Sequence, residues 1–285
     1  MSERVFIIGA GKVGRGLAYA FRSVALQVIG VHARSPRDGA TTSGPYPKVM
    51  SEANVVIIAV SDTALNDVCH ALAVAAKDKS SPLTRGTIVL HTSGTVSPPA
   101  LNDLRAAGFP CGTFHPLAPF STAERGAAML HDGWVGIDGD PVACATARRL
   151  AAAIGARTVN IPVGGKAAYH TAAVMASNFP VVLAALAARL LSQSGMESHA
   201  AEQVVQRLMA GAVGNLEYGS PTEVLTGPAA RGDTEAISSH RAALSYDPET
   251  LAVYDALTRA AASLTAEHST TVNHANVGRR RKLEG

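Results

Sequence analysis

Three glycines spaced Gly9-x-Gly11-x-x-Gly14 stand directly behind the apolar run Val5–Ile8 and in front of an amphipathic stretch. A strand, a tight turn and a helix in that order need a glycine wherever backbone crosses backbone. Gly9 permits the turn, Gly11 lets the backbone approach a ligand, and Gly14 lets the helix pack on the strand. The helix that follows presents free N–H groups and a partial positive charge at its start, which suits a pyrophosphate. The motif therefore predicts a dinucleotide site at Gly9, Ala10, Gly11, Lys12, Val13 and Gly14.

The second apolar run indicates which dinucleotide. An NAD site carries an acid about 20 residues beyond the glycines, bonded to the ribose 2′-hydroxyl. Here the run ends Val31-His-Ala-Arg-Ser-Pro-Arg37, and no acid appears before Asp38. Arg34, Ser35 and Arg37 offer two planar guanidiniums and a hydroxyl, a set that suits a 2′-phosphate. The expected cofactor is NADP.

Apolar runs and amphipathic stretches alternate through the first half. Strands are expected at Val5–Ile8, Gln27–Val31, Val55–Val60, Thr87–His91, Cys111–His115, Trp134–Asp138 and Arg157–Ile161. Most lack a clean period of two, as strands buried on both faces do. Helices are expected at Val13–Arg22, Thr63–Ala76, Pro98–Ala107 and Val142–Ile154. This alternation implies an α/β fold with a mostly parallel sheet. The Pro/Gly punctuation Ile161-Pro-Val-Gly-Gly165 ends it. Only helical patterns follow: Gly165–Ser194, Ser198–Gly214, Pro221–Val224, Asp233–Leu244 and Pro248–Glu267. The expected organisation is a nucleotide-binding domain at 1–162, a helical domain at 163–275 and a solvated basic tail at 276–285.

The tail matters for charge. The chain of 285 residues holds 25 basic and 22 acidic side chains, a formal net charge of +3. Residues 278–285 carry four of the basic and one of the acidic ones, so the remainder holds 21 of each. A balanced globular part argues against nucleic acid as a partner. The three cysteines, Cys69, Cys111 and Cys144, are widely spaced with no CxxC, which argues against a disulfide framework or a zinc site and fits a reducing cytoplasm. No formal charge lies between Lys166 and Arg189, a stretch long enough to span a bilayer. It also holds His170, Ser177, Asn178 and Pro180 and is rich in Ala, so a helix within a folded protein is expected instead.

Ligands of open α/β sheets bind at the carboxyl ends of the strands. Ala59, Val60, Ser61 and Asp62 end the third expected strand and should border the cofactor, Ser61 or Asp62 also serving as a helix cap. His91, Thr92, Ser93 and Gly94 end the fourth, and His115 ends the fifth. On the long helix, successive residues turn by about 100°, which places Lys166 about 40° from His170, and Ser177 and Asn178 about 20° and 80° from it. His170, Ser177 and Asn178 thus form a polar patch on an apolar helix, bonded within the core or turned toward substrate. After Gly227-Pro228, Arg231 could clamp a substrate carboxylate, or Arg231 and Asp233 could cap a helix and pair with each other.

Read together, "GxGKVG" at 9–14, "HTSG" at 91–94, "HPLxPF" at 115–120, "KAAYHxAAxxASN" at 166–178 and "GPxxRGD" at 227–233 resemble one group of proteins. The first half is similar to the Rossmann domain of the 3-hydroxyacid dehydrogenase, ketopantoate reductase and pyrroline-5-carboxylate reductase superfamily. The whole resembles its Rossmann-like branch with a DUF2520 domain. The resemblance implies a helical second domain like the C-terminal domain of 6-phosphogluconate dehydrogenase, and association as a homodimer through Ala-rich helices. It matches Ser93 and Gly94 to a substrate loop and Asn178 to the helix Asn. Related 3-hydroxyacid dehydrogenases carry a Lys on this helix with Asn four residues later. Here His170 holds the place four residues after Lys166, so the proton donor is either of these two. The expected activity is NADPH-dependent reduction of a small carbonyl compound, a 2-oxo acid such as ketopantoate. The alternatives are an imine reductase of the pyrroline-5-carboxylate type and an NADP-binding regulatory protein without catalysis.

Overall fold

The computed structural model describes residues 3–77, 81–97 and 99–283, with side chains described to residue 266. Its residues form two compact units, Met1–Pro180 and Val181–Gly285.

The first unit is an eight-stranded sheet. Its strands are β1 (Arg4–Ile8), β2 (Gln27–Ala33), β3 (Thr42–Ser43), β4 (Val55–Ile58), β5 (Ile88–His91), β6 (Cys111–Pro116), β7 (Trp134–Gly139) and β8 (Arg157–Asn160). The order across the sheet is β3-β2-β1-β4-β5-β6-β7-β8. All neighbours are parallel except β6 and β7. The chain reverses after α1 (Lys12–Ser23) and β1, where β2 returns to one side and β4 to the other, leaving a crevice at their carboxyl ends.

Strands β1, β4 and β5 are buried along nearly their whole length, which explains why their sequences carry no period of two. One core layer packs Leu17 and Phe21 of α1 with Phe114 and with Leu150 of α5 (Pro141–Ala153). The other packs Phe6 and Met50 with Leu65 and Leu72 of α2 (Asp62–Ala75) and Leu101 and Leu104 of α3 (Ala100–Ala106). Pro98, the expected start of α3, lies outside the described residues. Two short elements had no periodic signal, the edge strand β3 and α4 (Ala123–Ala128), whose N-cap Thr122 accepts from Arg125 N. Parallel alternation does not extend to β7: it runs against β6, with His115 opposite Gly136 and Thr113 opposite Asp138.

The long helix α6 (Lys166–Gln193) continues through Pro180. It is long and apolar enough, by length and composition, to cross a membrane, and none of its residues is buried. Its first turns belong to the first unit, which therefore reaches beyond residue 162.

The second unit contains the remainder of α6, then α7 (Ser198–Gly214), α8 (Pro221–Val224), α9 (Pro228–Arg231), α10 (Thr234–Ala243) and α11 (Pro248–Leu283). Helix starts follow the chain chemistry. Ser220 and Glu223 form a reciprocal capping box ahead of α8, and Asp233 caps α10 by accepting from Ala236 N. Ahead of α11, Asp247 accepts from Thr250 N and from the Arg189 guanidinium. The tail expected at 276–285 falls on side chains outside the described residues.

Candidate active site

Register places the site. Ile8 of β1 is level with Ile58 of β4, and Ile58 with His91 of β5, so the loops after these strands leave the same edge of the sheet.

At one side of that edge lies a cleft of about 680 Å³. Gly9 has φ +117, and a Cβ there would lie 2.2 Å from the Ala59 carbonyl oxygen. A Cβ on Gly14 would lie 1.8 Å from the Gly9 carbonyl oxygen, so the α1–β1 crossing tolerates no side chain. Gly11 caps α1 and faces open space. The first turn of α1 holds no acid, so nothing in it opposes an anion at the free N–H groups.

Of the residues expected around a cofactor, Gly9, Ala10, Gly11, Arg34, Ser35 and Arg37 line this cleft, as do Ala59, Val60 and Ser61. Asp62 begins α2, and Lys12, Val13 and Gly14 lie in the first turn of α1. Asp38, the first acid after the glycines, is held by Arg15 Nη1 at 3.0 Å. One wall of the cleft was not expected from the sequence. His32, Pro45, Tyr46 and Asp67 line it too. The His32 ring lies 5.3 Å from that of Tyr46, with its Nδ1 3.1 Å from Thr42 Oγ1, and burial lowers its pKa. The Gly44-Pro45 pair after the basic turn was the available clue to that wall.

The other side of the edge is packed with polar groups. His91, Thr113 and Asp138 are register partners across β5, β6 and β7, so their side chains share one face. Thr113 Oγ1 lies 3.1 Å from His91 Nε2. Lys166, at the start of α6, covers this row. Its ammonium donates to Thr113 Oγ1 at 2.9 Å and to the Val96 carbonyl at 3.1 Å, and it lies 3.3 Å from Asp138 Oδ2. All three of its protons therefore have acceptors. Burial pushes the Lys166 ammonium below its usual range, and Asp138 opposes that shift. Burial, with Lys166 next in importance, pushes His91 down to about 3, so it is neutral at pH 7. His91 Nδ1 has no hydrogen-bond partner. Neither His91 nor Thr92 is among the residues that line the cleft; Thr92 N bonds back to the Ile58 carbonyl.

Two rungs further along β6, His115 stands opposite Gly136. Tyr169 of α6 reaches over Gly136 and bonds His115 Nδ1 through its hydroxyl at 2.8 Å. A Cβ on Gly136 would lie 2.0 Å from that hydroxyl, and one on Gly94 would lie 2.7 Å from His115 Cε1. Both glycines make room for the pair. Burial, then the neighbouring His170 and Lys166, lowers His115 to about 4. The His170 ring is 5.9 Å from that of His115. Ser93 Oγ accepts from Thr95 N and Val96 N, shaping the loop that Lys166 then grips. Ser177 donates to the Ala173 carbonyl and to Asn178 Oδ1. Lys166, His115 and His170 are thus brought together, with Tyr169, Thr113 and Asp138 as partners the sequence did not single out. Arg231 and Asp233 belong to the second unit, where Asp233 is the cap of α10. Among the described residues no group of three His, Cys, Asp or Glu side chains could hold a metal.

Comparison with known proteins agrees with this architecture. The Rossmann-like domain family matches residues 2–116, and DUF2520, a domain of unknown function, matches residues 134–261. No curated protein matches the sequence. A solved Bacteroides fragilis protein, provisionally assigned as an NADP oxidoreductase, is 21% identical over 92% of this chain and 98% of its own, with a TM-score of 0.72. A Thermotoga maritima protein is 23% identical over 93% and 99%, with a TM-score of 0.68. A reductive aminase from Aspergillus terreus, solved with NADPH and ethyl-5-oxohexanoate, is 15% identical over 92% and 94%, with a TM-score of 0.63. These likenesses are of fold. The chain thus carries a Rossmann-like domain followed by a DUF2520 domain.

Proposed function

We propose that the protein is an NADPH-dependent oxidoreductase that reduces a small carbonyl compound, a 2-oxo acid such as ketopantoate. The observation that carries this reading is the cleft at the glycine loop. Arg34, Ser35 and Arg37 line it, and Asp38, the first acid after the glycines in sequence, is paired with Arg15. The residues fit the cofactor: open space at Gly11 and an acid-free helix start suit a pyrophosphate, and the two arginines suit a 2′-phosphate. When bound, the cofactor supplies the hydride. The chain orients the partner carbonyl. Ser93 keeps its own hydroxyl proton to offer while its oxygen accepts from the loop, and Asn178 offers an amide. Gly94 and His115 are proposed as further substrate contacts, and Arg231, with Asp233 beside it as the cap of α10, is proposed for a substrate carboxylate. Of the two candidate donors on α6, Lys166 has its protons committed, which favours a histidine.

A second reading has a specific support. Solved proteins of like fold include a 1-pyrroline-5-carboxylate reductase and an imine reductase, so a cyclic imine is the alternative substrate. NADPH oxidation followed over a panel of 2-oxo acids, ketopantoate included, and cyclic imines tests both. Reduction of imines alone transfers the assignment to the second reading. Tight NADPH binding with no turnover leaves a binding protein without catalysis.

The same reading makes the protein a cytoplasmic homodimer. All three cysteines are free. Met175, Phe179, Val181 and Val182 of α6 are exposed in a single copy, which suits burial against another. The first turns of α6 are polar and bonded to β6, which supports a place in a folded assembly rather than in a bilayer. Sedimentation at micromolar concentration should show a dimer, and a persistent monomer refutes the pairing.

A further inference from the structure

The geometry points to His115, with its tautomer set by Tyr169, as the catalytic residue that protonates the reduced oxygen. We propose that Tyr169 and His115 form a two-proton relay ending at His115 Nε2. This rests on the reductase reading above.

The relay follows from a proton count. The Tyr169 hydroxyl is paired with His115 Nδ1. A phenol keeps its proton at neutral pH, and that proton is used by donating it to Nδ1. The imidazole then carries its own proton on Nε2. Gly94 packs against the ring at Cε1, between its two nitrogens, so with Nδ1 taken by Tyr169 the Nε2–H lies next to the loop that carries Ser93 and Gly94. His115 is also the last residue but one of β6, at the carboxyl edge of the sheet.

Every charged or titratable group facing the ring helps define its state. On α6 these are Lys166 and His170, with Tyr169 between them. From the start of α2, Asp62 acts on it in the opposite sense. On β5, His91 is itself neutral. On β7, Asp138 is matched by Lys166. Burial, with His170 and Lys166 acting in the same sense, outweighs Asp62, so the imidazole is neutral in the working range.

The step balances. The carbonyl carbon gains a hydride from the nicotinamide donor, and the π electrons of the C=O bond move to oxygen. That oxygen takes the proton from His115 Nε2, and Nδ1 takes the proton from the Tyr169 hydroxyl. Water then reprotonates Nε2 and Nδ1 returns its proton to the phenolate, so both residues are restored and one solvent proton is consumed. Burial and the Asp138 charge raise the Tyr169 pKa, so the hydroxyl holds its proton until a stronger base, the alkoxide, draws on it. An iminium accepting hydride becomes a neutral amine and needs no such donor. A neutral donor relay therefore matches a carbonyl substrate.

Histidine ¹⁵N NMR of the full chain without cofactor reads the tautomer directly. The expected result is an Nε2-protonated, neutral His115 at pH 7, replaced by a mixture of tautomers in Tyr169→Phe. An Nδ1-protonated ring, or one that becomes cationic near the ordinary value of about 6.5, overturns the proposal. In turnover, His115→Ala should lose roughly 10²- to 10³-fold in kcat, with NADPH affinity retained. Tyr169→Phe should lose about tenfold by the same logic, and His170→Ala less than about threefold. His115→Gln, which keeps an N–H donor, serves if the alanine variant does not fold. Turnover of carbonyls by the unaltered chain that His115→Ala or His115→Gln matches in full sinks the relay alone. No reduction of any carbonyl or imine by the unaltered chain sinks the reductase reading, and the relay with it.

Discussion

The two sides of the sheet edge are built on opposite plans. At the β1–β2–β4 side, the cleft is backbone shape and unspent charge: glycines without room for a Cβ, a bare helix start and exposed arginines at its rim. At the β5–β6–β7 side, almost every polar group has already found a partner, and Lys166 has found three. The first plan suits a ligand that brings its own charge. The second suits groups that must keep one orientation and one protonation state, because buried polar groups left half-satisfied cost more than they give. Binding and chemistry thus occupy one edge under different physical rules.

Four tests break or sharpen that contrast. The largest effect belongs to the backbone-built side. Gly14→Ala puts a methyl where the Gly9 carbonyl stands, and backbone cannot step aside as a side chain can. We expect a loss of about 3 kcal/mol or more in stability and no NADPH binding, read by chemical unfolding and calorimetry. Unchanged binding would mean that the crossing of α1 over β1 is looser than drawn.

Next is the prepaired side. Lys166→Met leaves Asp138 facing a poorly hydrated interior without its cation. Breaking a fully buried pair costs about 3–5 kcal/mol. The Lys166 and Asp138 side chains are 13% and 27% exposed, so we expect nearer 2 kcal/mol. The double variant Lys166→Met, Asp138→Leu should recover much of it. Failure of the second change to rescue the first would show that the pair is not the unit of stability.

Third comes acid. His91 titrates at about 3 when folded and about 6.5 when unfolded, and His115 at about 4. A depressed folded pKa means that the unfolded chain binds more protons, so the stability of the neutral rings is present above about 6.5 and is lost as pH falls toward their folded values. Each ring can contribute at most about 1.4 kcal/mol per pH unit across its window. His91→Gln should flatten this slope, measured as unfolding midpoint against pH. An equally steep slope in the variant would place the acid sensitivity elsewhere.

The smallest effect is on affinity alone. Arg34→Ala or Arg37→Ala should weaken NADPH binding about tenfold, as loss of one charge-assisted bond does, while NADH binding and stability stay unchanged. An equal loss for both cofactors would remove the 2′-phosphate from the argument.

The glycine side was legible because its logic is local. Gly9, Gly11 and Gly14 each answer to a neighbour within one β–turn–α unit, and Arg34 to Arg37 follow on the next strand. Long elements were legible for the same reason, since a helix such as α7 or a run such as Val55–Ile58 repeats its signal. The two-residue β3 and the six-residue α4 are too short to show a period. The direction of β7 is a choice made by packing, because the segment from 117 to 133 is long enough to return the chain either way. The prepaired side was only half visible. Helical geometry set Lys166 and His170 about 40° apart, but Tyr169 lay unremarked among alanines. Its partner is 54 residues away, and an aromatic on an apolar helix carries no sign of whom it will meet. Thr113 and Asp138 were ordinary strand residues until register set them beside His91.

Gly94 and Gly136 have a consequence for recognising this arrangement in other chains. The space that each leaves empty is where His115 and Tyr169 stand. A chain that repeats the histidine and the tyrosine but fills either gap with a methyl cannot hold the two rings in hydrogen-bonding distance. The diagnostic pattern for the relay is therefore a four-position one, two side chains and two vacancies, and the vacancies are its more exacting half.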